Sequence, residues 1–250
     1  MDYAEYVQNI SFKWLQPDAR RPAGFRGANQ LLRKVGVHLE MFMTELPEAQ
    51  AEMRQKLQEV CRVPRMSTFA IGALINQGVA QLPEGQAYLN VGVWNGFTFL
   101  SGMAQNPDKL CIGIDNFSHN NSPKQAFLKR FNQFKDGPNH IFREGDFREY
   151  FKKVHQETLG FYLFDGPHTY TDQLDGLTLA EPFFAEGCCV LVDDTNWDQV
   201  RQANLDFIAR SPYEYKMLLD VKTPRTGHPT FWNGVMLFQK QGLKRQRAVA

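Results

Sequence analysis

From Ala87 onward, short apolar runs alternate with stretches whose apolar residues fall at helical spacing. The runs are "AYLNVGV", "KLCIGID", "HIFREGD", "GFYLFDG" and "CCVLVDD"; the intervening stretches include "FTFLSGMAQNP", "SPKQAFLKRFNQFK" and "TDQLDGLTLAEPFF". A run that is apolar throughout makes a strand buried on both faces, and strands joined through helices pair in parallel. This order predicts a doubly wound α/β fold. Two further runs, "YEYKMLLDVKT" and "TFWNGVMLFQK", follow the helix "WDQVRQANLDFIARS". Fewer than ten residues separate them, too few for a crossover helix, so they should pair antiparallel. The expectation is a mostly parallel seven-stranded sheet closed by a C-terminal antiparallel hairpin.

The first eighty or so residues lack this alternation. "QPDARRPAGFRGANQ" is expected to be a loop, and "LPEAQAEMRQKLQEVCRV" and "MSTFAIGALINQGVAQL" to be helices. The chain is therefore divided into an N-terminal helical extension, 1–82, and a main domain, 83–250. A chain of 250 residues is long enough for one large α/β domain with such an appendage. The formal net charge of +1 removes the long-range field expected of a dedicated nucleic-acid binder. No apolar stretch approaches the ~20 residues of a membrane span, and the acidic, polar N-terminus is no secretory signal. Cys61, Cys111, Cys188 and Cys189 lack metal-binding spacing and fit the reduced, partly buried thiols of a cytoplasmic protein. Arg20, Arg21, Arg26, Arg33 and Lys34 crowd one stretch; a solvated loop and helix face is the simpler reading, an acceptor-anion clamp the alternative.

Two features carry chemistry. The turn in "YLNVGVWNGFTF" joins a strand to a helix across Gly92, Trp94, Asn95 and Gly96. Backbone N–H groups at such a helix N-terminus often hold a cofactor. Acidic residues also sit where the strands stop: Asp115, Asp146, Asp165, and the pair Asp193 and Asp194. In an open α/β sheet these ends line one crevice. Two like charges ~4 Å apart repel by ~4 kcal/mol at an effective dielectric near 20, so the set requires a cation, shifted pKa values or divergent side chains. One such Asp is an ordinary turn residue, but a series at successive strand ends points to function. Phe161, Tyr162, Phe164, Phe183 and Phe184 are expected in the core.

The order of glycine turn, Asp115, Asp146, "FDGPHTY", "VDDTNW" and terminal hairpin resembles the class I S-adenosylmethionine-dependent methyltransferases. More narrowly, it is similar to the metal-dependent O-methyltransferases of catechol, caffeoyl-CoA and macrocin sugar type, over about Pro83 to Lys240. The resemblance implies a Rossmann-like fold, with residues 1–82 as a lid or acceptor-binding element. It implies cofactor contacts from Asn90, Gly92, Asn95, Gly96, Thr98, Asp115, Asp146, Phe147 and Asp165. Asp115 would bind the ribose hydroxyls, and Asp146 and Phe147 the adenine. Two departures stand out: Asn90 replaces an acidic residue, and Trp94 stands where a glycine is commonest.

Asp165, Asp193 and Asp194 match the family's metal ligands, and an all-carboxylate set suits Mg²⁺ or Mn²⁺. His168 is the leading general base, since a histidine titrates near physiological pH, with Tyr170 and Asp172 the alternatives in the same stretch and Asp165 the second catalytic residue. The implied reaction is metal-assisted methylation of a hydroxyl on a small oxygen-rich acceptor, either a sugar or a catechol-like ring. The implied partners are that acceptor alone, with no nucleic acid or membrane and with a homodimer left open. The alternatives are a metal-independent methyltransferase, a non-catalytic protein that binds S-adenosylmethionine, and a nicotinamide dehydrogenase. Trp94 and the hairpin argue against the last.

Overall fold

The computed structural model describes residues 1–48, 50–119 and 123–244. The N-terminal part holds α1 (Tyr3–Gln8), β1 (Ser11–Phe12), α2 (Phe25–Lys34), α3 (Leu39–Met43), β2 (Thr44–Glu45), α4 (Gln50–Leu57) and α5 (Phe69–Ala80). The main unit then runs β3 (Gln86–Val91), α6 (Phe97–Met103), β4 (Leu110–Asp115), α7 (Lys124–Phe134), β5 (His140–Glu144) and α8 (Phe147–Lys153). It ends with β6 (Thr158–Phe164), α9 (Tyr170–Ala180), β7 (Phe184–Asp193), α10 (Asp198–Arg210), β8 (Tyr213–Val221) and β9 (Val235–Leu243).

β3 to β9 form one seven-stranded sheet in the order β5-β4-β3-β6-β7-β9-β8, while β1 and β2 pair as a separate ribbon. β3 to β7 pair in parallel, and β9 runs antiparallel to both β7 and β8, as the alternation of the sequence requires. The topological switch point lies between β3 and β6, where the chain first builds outward to β5 and then returns to build the other way.

Successive residues of each strand feed opposite cores. Tyr88, Cys111, Phe161, Leu163 and Leu191 pack with α1, α5, α6 and α7 on one face. Leu89, Ile112, Tyr162, Phe164 and Val190 pack with α8, α9 and α10 on the other. The N-terminal helices belong to the first core: the Tyr3 hydroxyl donates to the Leu74 carbonyl at 2.9 Å, and its ring meets Phe161 edge-on at 5.9 Å. The four cysteines are buried and unpaired. Among the described residues, no helix is long and apolar enough to cross a membrane.

Two sequence expectations are corrected. The loop expected over 16–30 ends at Gly24, whose left-handed backbone (φ 79°) starts α2 at Phe25. Gly27 reads as a loop residue, yet one glycine costs a helix only about 1 kcal/mol. The last strand starts at Val235 rather than Thr230. Trp232 (φ 46°) and Gly234 (φ 81°) break the extended backbone, and His228 and Trp232 exchange two backbone hydrogen bonds instead.

Candidate active site

At the switch point, the turn after β3 and the loop after β6 lie backbone against backbone. The Asp165 N–H donates to the Val91 carbonyl at 2.9 Å, and a β-carbon on Gly92 (φ 82°) would stand 1.9 Å from the Asp165 carbonyl oxygen. Gly92 is thus required by this packing as well as by its φ. Trp94 also has a left-handed backbone (φ 45°), which a glycine would adopt without strain. The Asp115 carboxylate holds it there: Oδ2 accepts from the N–H groups of Val93 (2.9 Å) and Trp94 (2.8 Å), and Oδ1 from Phe117 (2.7 Å). Hydrogen bonds to a charged acceptor contribute about 1.5–3 kcal/mol each, enough to offset the strain. A carboxylate offers about four lone-pair sites, so one on Oδ1 remains for a ligand hydroxyl.

A small cleft of about 50 Å³ opens beside this turn, lined by Gly92, Asp115, Gly145, Asp146, Phe147 and Pro167, among others. Asp146 caps α8 through Oδ1, accepting from Arg148 N–H at 2.8 Å. The Phe147 ring is buried between Phe164, edge-on at 5.3 Å, and the Arg148 guanidinium, 4.5 Å from its centroid. The cleft shares Asp115, Asn116, Gly166 and Pro167 with a much larger cavity, of about 610 Å³. That cavity is walled by Trp94, Phe117, Trp197 and Trp232 and floored by His168 and Asp194. Trp94, Phe117, Asp194 and Trp232 are four of the five described non-glycine residues with positive φ. Strain of this kind gathers at functional sites.

His168 lies between two carboxylates, with Nε2 3.3 Å from Asp165 Oδ1 and 3.2 Å from Asp194 Oδ2. Its ring rests edge-on against Trp197 at 4.6 Å. Burial opposes its charge, but Asp165 and Asp194 outweigh that effect and raise its pKa above the ordinary histidine value. Asp194 is pushed up to about 6 by burial and then by Asp165; His168 and the Asn233 amide, which donates to Oδ1 at 2.7 Å, pull it back. Asp193 is buried and raised well above the usual carboxylate range, first by burial and then by Asp194 and Asp165. The site is therefore short of positive charge.

Asp165, His168 and Asp194 each place one ligand atom within 4.8 Å of the others. Donors on adjacent positions of an ion at ~2.1 Å stand ~3 Å apart, close to the spacings observed. Asp193 is outside this group; its Oδ1 instead accepts the Asp194 N–H at 2.8 Å. Other residues singled out in the sequence lie behind the turn. Asn90 is fully buried, with Nδ2 donating to the Val91 and Gly92 carbonyls and Oδ1 accepting from Tyr88. Asn95 Oδ1 accepts from Arg130 at 2.8 Å, the Thr98 carbonyl accepts from Tyr88, and Gly96 packs on Leu100 and Phe127.

Sequence reasoning missed the contribution of the β8–β9 connection, which supplies Thr226, Trp232 and Asn233. Its signal was a hairpin loop far longer than the usual 2–5 residues and carrying His, Trp and Asn.

A family described as "Methyltransferase domain" matches residues 89–195. No curated protein matches the chain by sequence. Among solved structures, the chain resembles an O-methyltransferase from Bacillus cereus in complex with SAH at 11% identity and a TM-score of 0.54, covering 86% of this chain and 97% of that one. It also resembles the O-methyltransferase TomG of tomaymycin synthesis from Streptomyces achromogenes, in complex with SAM, at 16% identity and a TM-score of 0.53, covering 86% and 99%. A third is CalS11, a TDP-rhamnose 3'-O-methyltransferase of calicheamicin biosynthesis, at 17% identity and a TM-score of 0.51, covering 89% and 96%. Likeness at such identities speaks for the fold. The chain thus shares its fold with solved O-methyltransferases, and its residues 89–195 are similar to a methyltransferase domain.

Proposed function

We propose that the protein transfers a methyl group from S-adenosylmethionine to a hydroxyl oxygen of a small, oxygen-rich acceptor. The observation that carries this reading is the Asp165–His168–Asp194 group, of which His168 and Asp194 floor the large cavity, next to the cleft of Asp115 and Asp146. Asp115 would accept a ribose hydroxyl at the open site on Oδ1, and Asp146 the adenine amine at Oδ2, which has no hydrogen bond among the described residues. When bound, S-adenosylmethionine supplies an electrophilic methyl group. His168, whose Nε2 faces the two carboxylates as a donor, takes the acceptor hydroxyl proton at Nδ1, and Asp165 and Asp194 stabilise the imidazolium that results. Trp94, Phe117, Trp197 and Trp232 orient the acceptor and keep water from the reacting oxygen.

The charge deficit favours a hard divalent cation, Mg²⁺ or Mn²⁺. Asp165 and Asp194 would hold it with Asp193 behind them, and it would supply Lewis acidity that lowers the pKa of an acceptor hydroxyl. One observation favours a metal-independent variant: the His168 ring already sits within 3.3 Å of both carboxylates and can supply the missing positive charge. The test is transfer of labelled methyl from S-adenosylmethionine to a panel of sugars and catechols, with Mg²⁺ or with chelator. Transfer that stops with chelator supports the metal, and transfer that persists supports the variant. No transfer to any hydroxyl, with S-adenosylmethionine bound, counts against O-methylation.

A further inference from the structure

The large cavity does not end at Trp232. Thr226 and Trp232 also wall a second cavity of about 280 Å³, which in turn shares Arg21 and His228 with a third of about 320 Å³. The three share walls in series, between the N-terminal segment and the β8–β9 connection. Two contacts clamp these segments together: Arg21 donates to the Gly227 carbonyl at 2.7 Å, and His228 Nε2 lies 3.0 Å from the Ala19 carbonyl.

Charge changes sign along the series. The first cavity carries Asp115 and Asp194, whereas no carboxylate lines the other two. The third presents Arg20, Arg21 and Arg225. The Arg20 and Arg225 side chains are exposed and make no hydrogen bond or ion pair among the described residues. In the middle cavity, Arg33 Nε and Asn29 Oδ1 are buried without a hydrogen-bond partner. The side chain of Arg26, the remaining arginine of this stretch, lies outside the described residues.

The geometry points to an acceptor that carries a phosphate or diphosphate, held by Arg20, Arg21 and Arg225 while its reacting hydroxyl lies at His168. This rests on the methyl-transfer reading for the hydroxyl end, but the arginine end stands on its own observations. Guanidinium groups pair with phosphate oxygens through two parallel hydrogen bonds. Arg20 and Arg225, both facing this 320 Å³ cavity, call for more acceptor oxygens than one carboxylate supplies, whereas a diphosphate has oxygens for both. Residues 17–25 would then act as part of the acceptor site.

Calorimetric titration of the full chain with inorganic pyrophosphate, at ionic strength matched with chloride, tests this. The expected result is saturable binding, weakened about tenfold or more in the double variant Arg20→Ala and Arg225→Ala, and less in Arg225→Lys, which keeps the charge but loses the fork. Both positions are exposed, so the variants should melt with the parent. Pyrophosphate that does not bind saturably, or that binds the double variant equally well, overturns the assignment. Malonate binding as tightly as pyrophosphate overturns the choice of phosphate. Titration with S-adenosylhomocysteine in parallel should give one affinity for parent and variant. Its failure in the parent would count against the methyl-donor reading and leave the pyrophosphate result to decide the arginine site.

Discussion

The backbone of Gly92 lies so close to Asp165 that a β-carbon at position 92 would stand 1.9 Å from the Asp165 carbonyl oxygen. The turn after β3 and the acid after β6 therefore set each other's position across the switch point. Cofactor side and reaction side of the cleft meet backbone to backbone, through this close approach and the Asp165 N–H bond to the Val91 carbonyl.

Gly92→Ala should destabilise the fold by about 3 kcal/mol, combining the left-handed backbone with the overlap. For a chain of this size that corresponds to a fall of about 6–12 °C in Tm. A melt indistinguishable from the parent's would show that the two loops part easily and do not position one another.

The pH dependence of methyl transfer follows from His168. Its pKa is raised by Asp165 and Asp194 against burial, and it must be neutral to accept a proton. The rate should rise with pH through a midpoint above the ordinary ~6.5 and fall below it. Asp194→Asn should move that midpoint down by removing one negative neighbour, and His168→Gln should abolish the limb. A midpoint unmoved by Asp194→Asn would assign the limb to another group.

The sheet was legible in the sequence because doubly buried strands are apolar without interruption and their ends carry the acids; "CIGID" and "YLFD" marked both strand and crevice. What escaped notice depends on the third dimension. Nothing in "YLNVGVWN" tells that Asp115, twenty-one residues beyond Trp94, holds that turn through its N–H groups. Asn90 sits at a motif position but spends its amide on the local backbone. Asp193 and Asp194 are adjacent in sequence, yet Asp194 turns left-handed (φ 58°) toward His168 while Asp193 stays buried. The loop "TPRTGHPTFWNG" gave only turn chemistry, and its contribution to the cavity wall comes from where β8 and β9 place it.

Away from the cleft, Glu40 is fully buried between Arg33, at 2.7 Å, and Arg65. Burial pushes its carboxyl up, but Arg65 and Arg33 together hold it below the usual range. A carboxylate depressed in the folded state contributes stability above its unfolded pKa, which is lost as pH falls through the folded value. Glu40→Gln should cost about 3–5 kcal/mol at neutral pH, because two arginines lose their counter-charge, and the gap to the parent should narrow in acid. Denaturant titrations at several pH values would read this; a gap independent of pH would contradict the ion-pair account.

The acid cluster behaves in the opposite sense. Asp194 is raised to about 6, so above its unfolded pKa the charged form disfavours folding. Asp194→Asn should melt higher than the parent without metal at neutral pH, and asparagine tolerates the left-handed backbone there. Added Mg²⁺ should raise the parent's melt, by linkage equivalent to ~2.7 kcal/mol at a hundredfold its dissociation constant, and raise that of Asp194→Asn less. A parent melt indifferent to both Mg²⁺ and Mn²⁺ would favour the metal-independent variant.

The most direct measurement of the central claim is a calorimetric titration of the protein with S-adenosylhomocysteine. The account predicts saturable binding at one site per chain, weakened about tenfold, ~1.4 kcal/mol, by Asp115→Ala, which removes both the ribose acceptor and the brace of the turn. His168→Gln should bind with the parent's affinity, since that side chain serves the acceptor. An absence of binding in the folded parent, or equal binding in Asp115→Ala, would contradict the assignment of this cleft to S-adenosylmethionine.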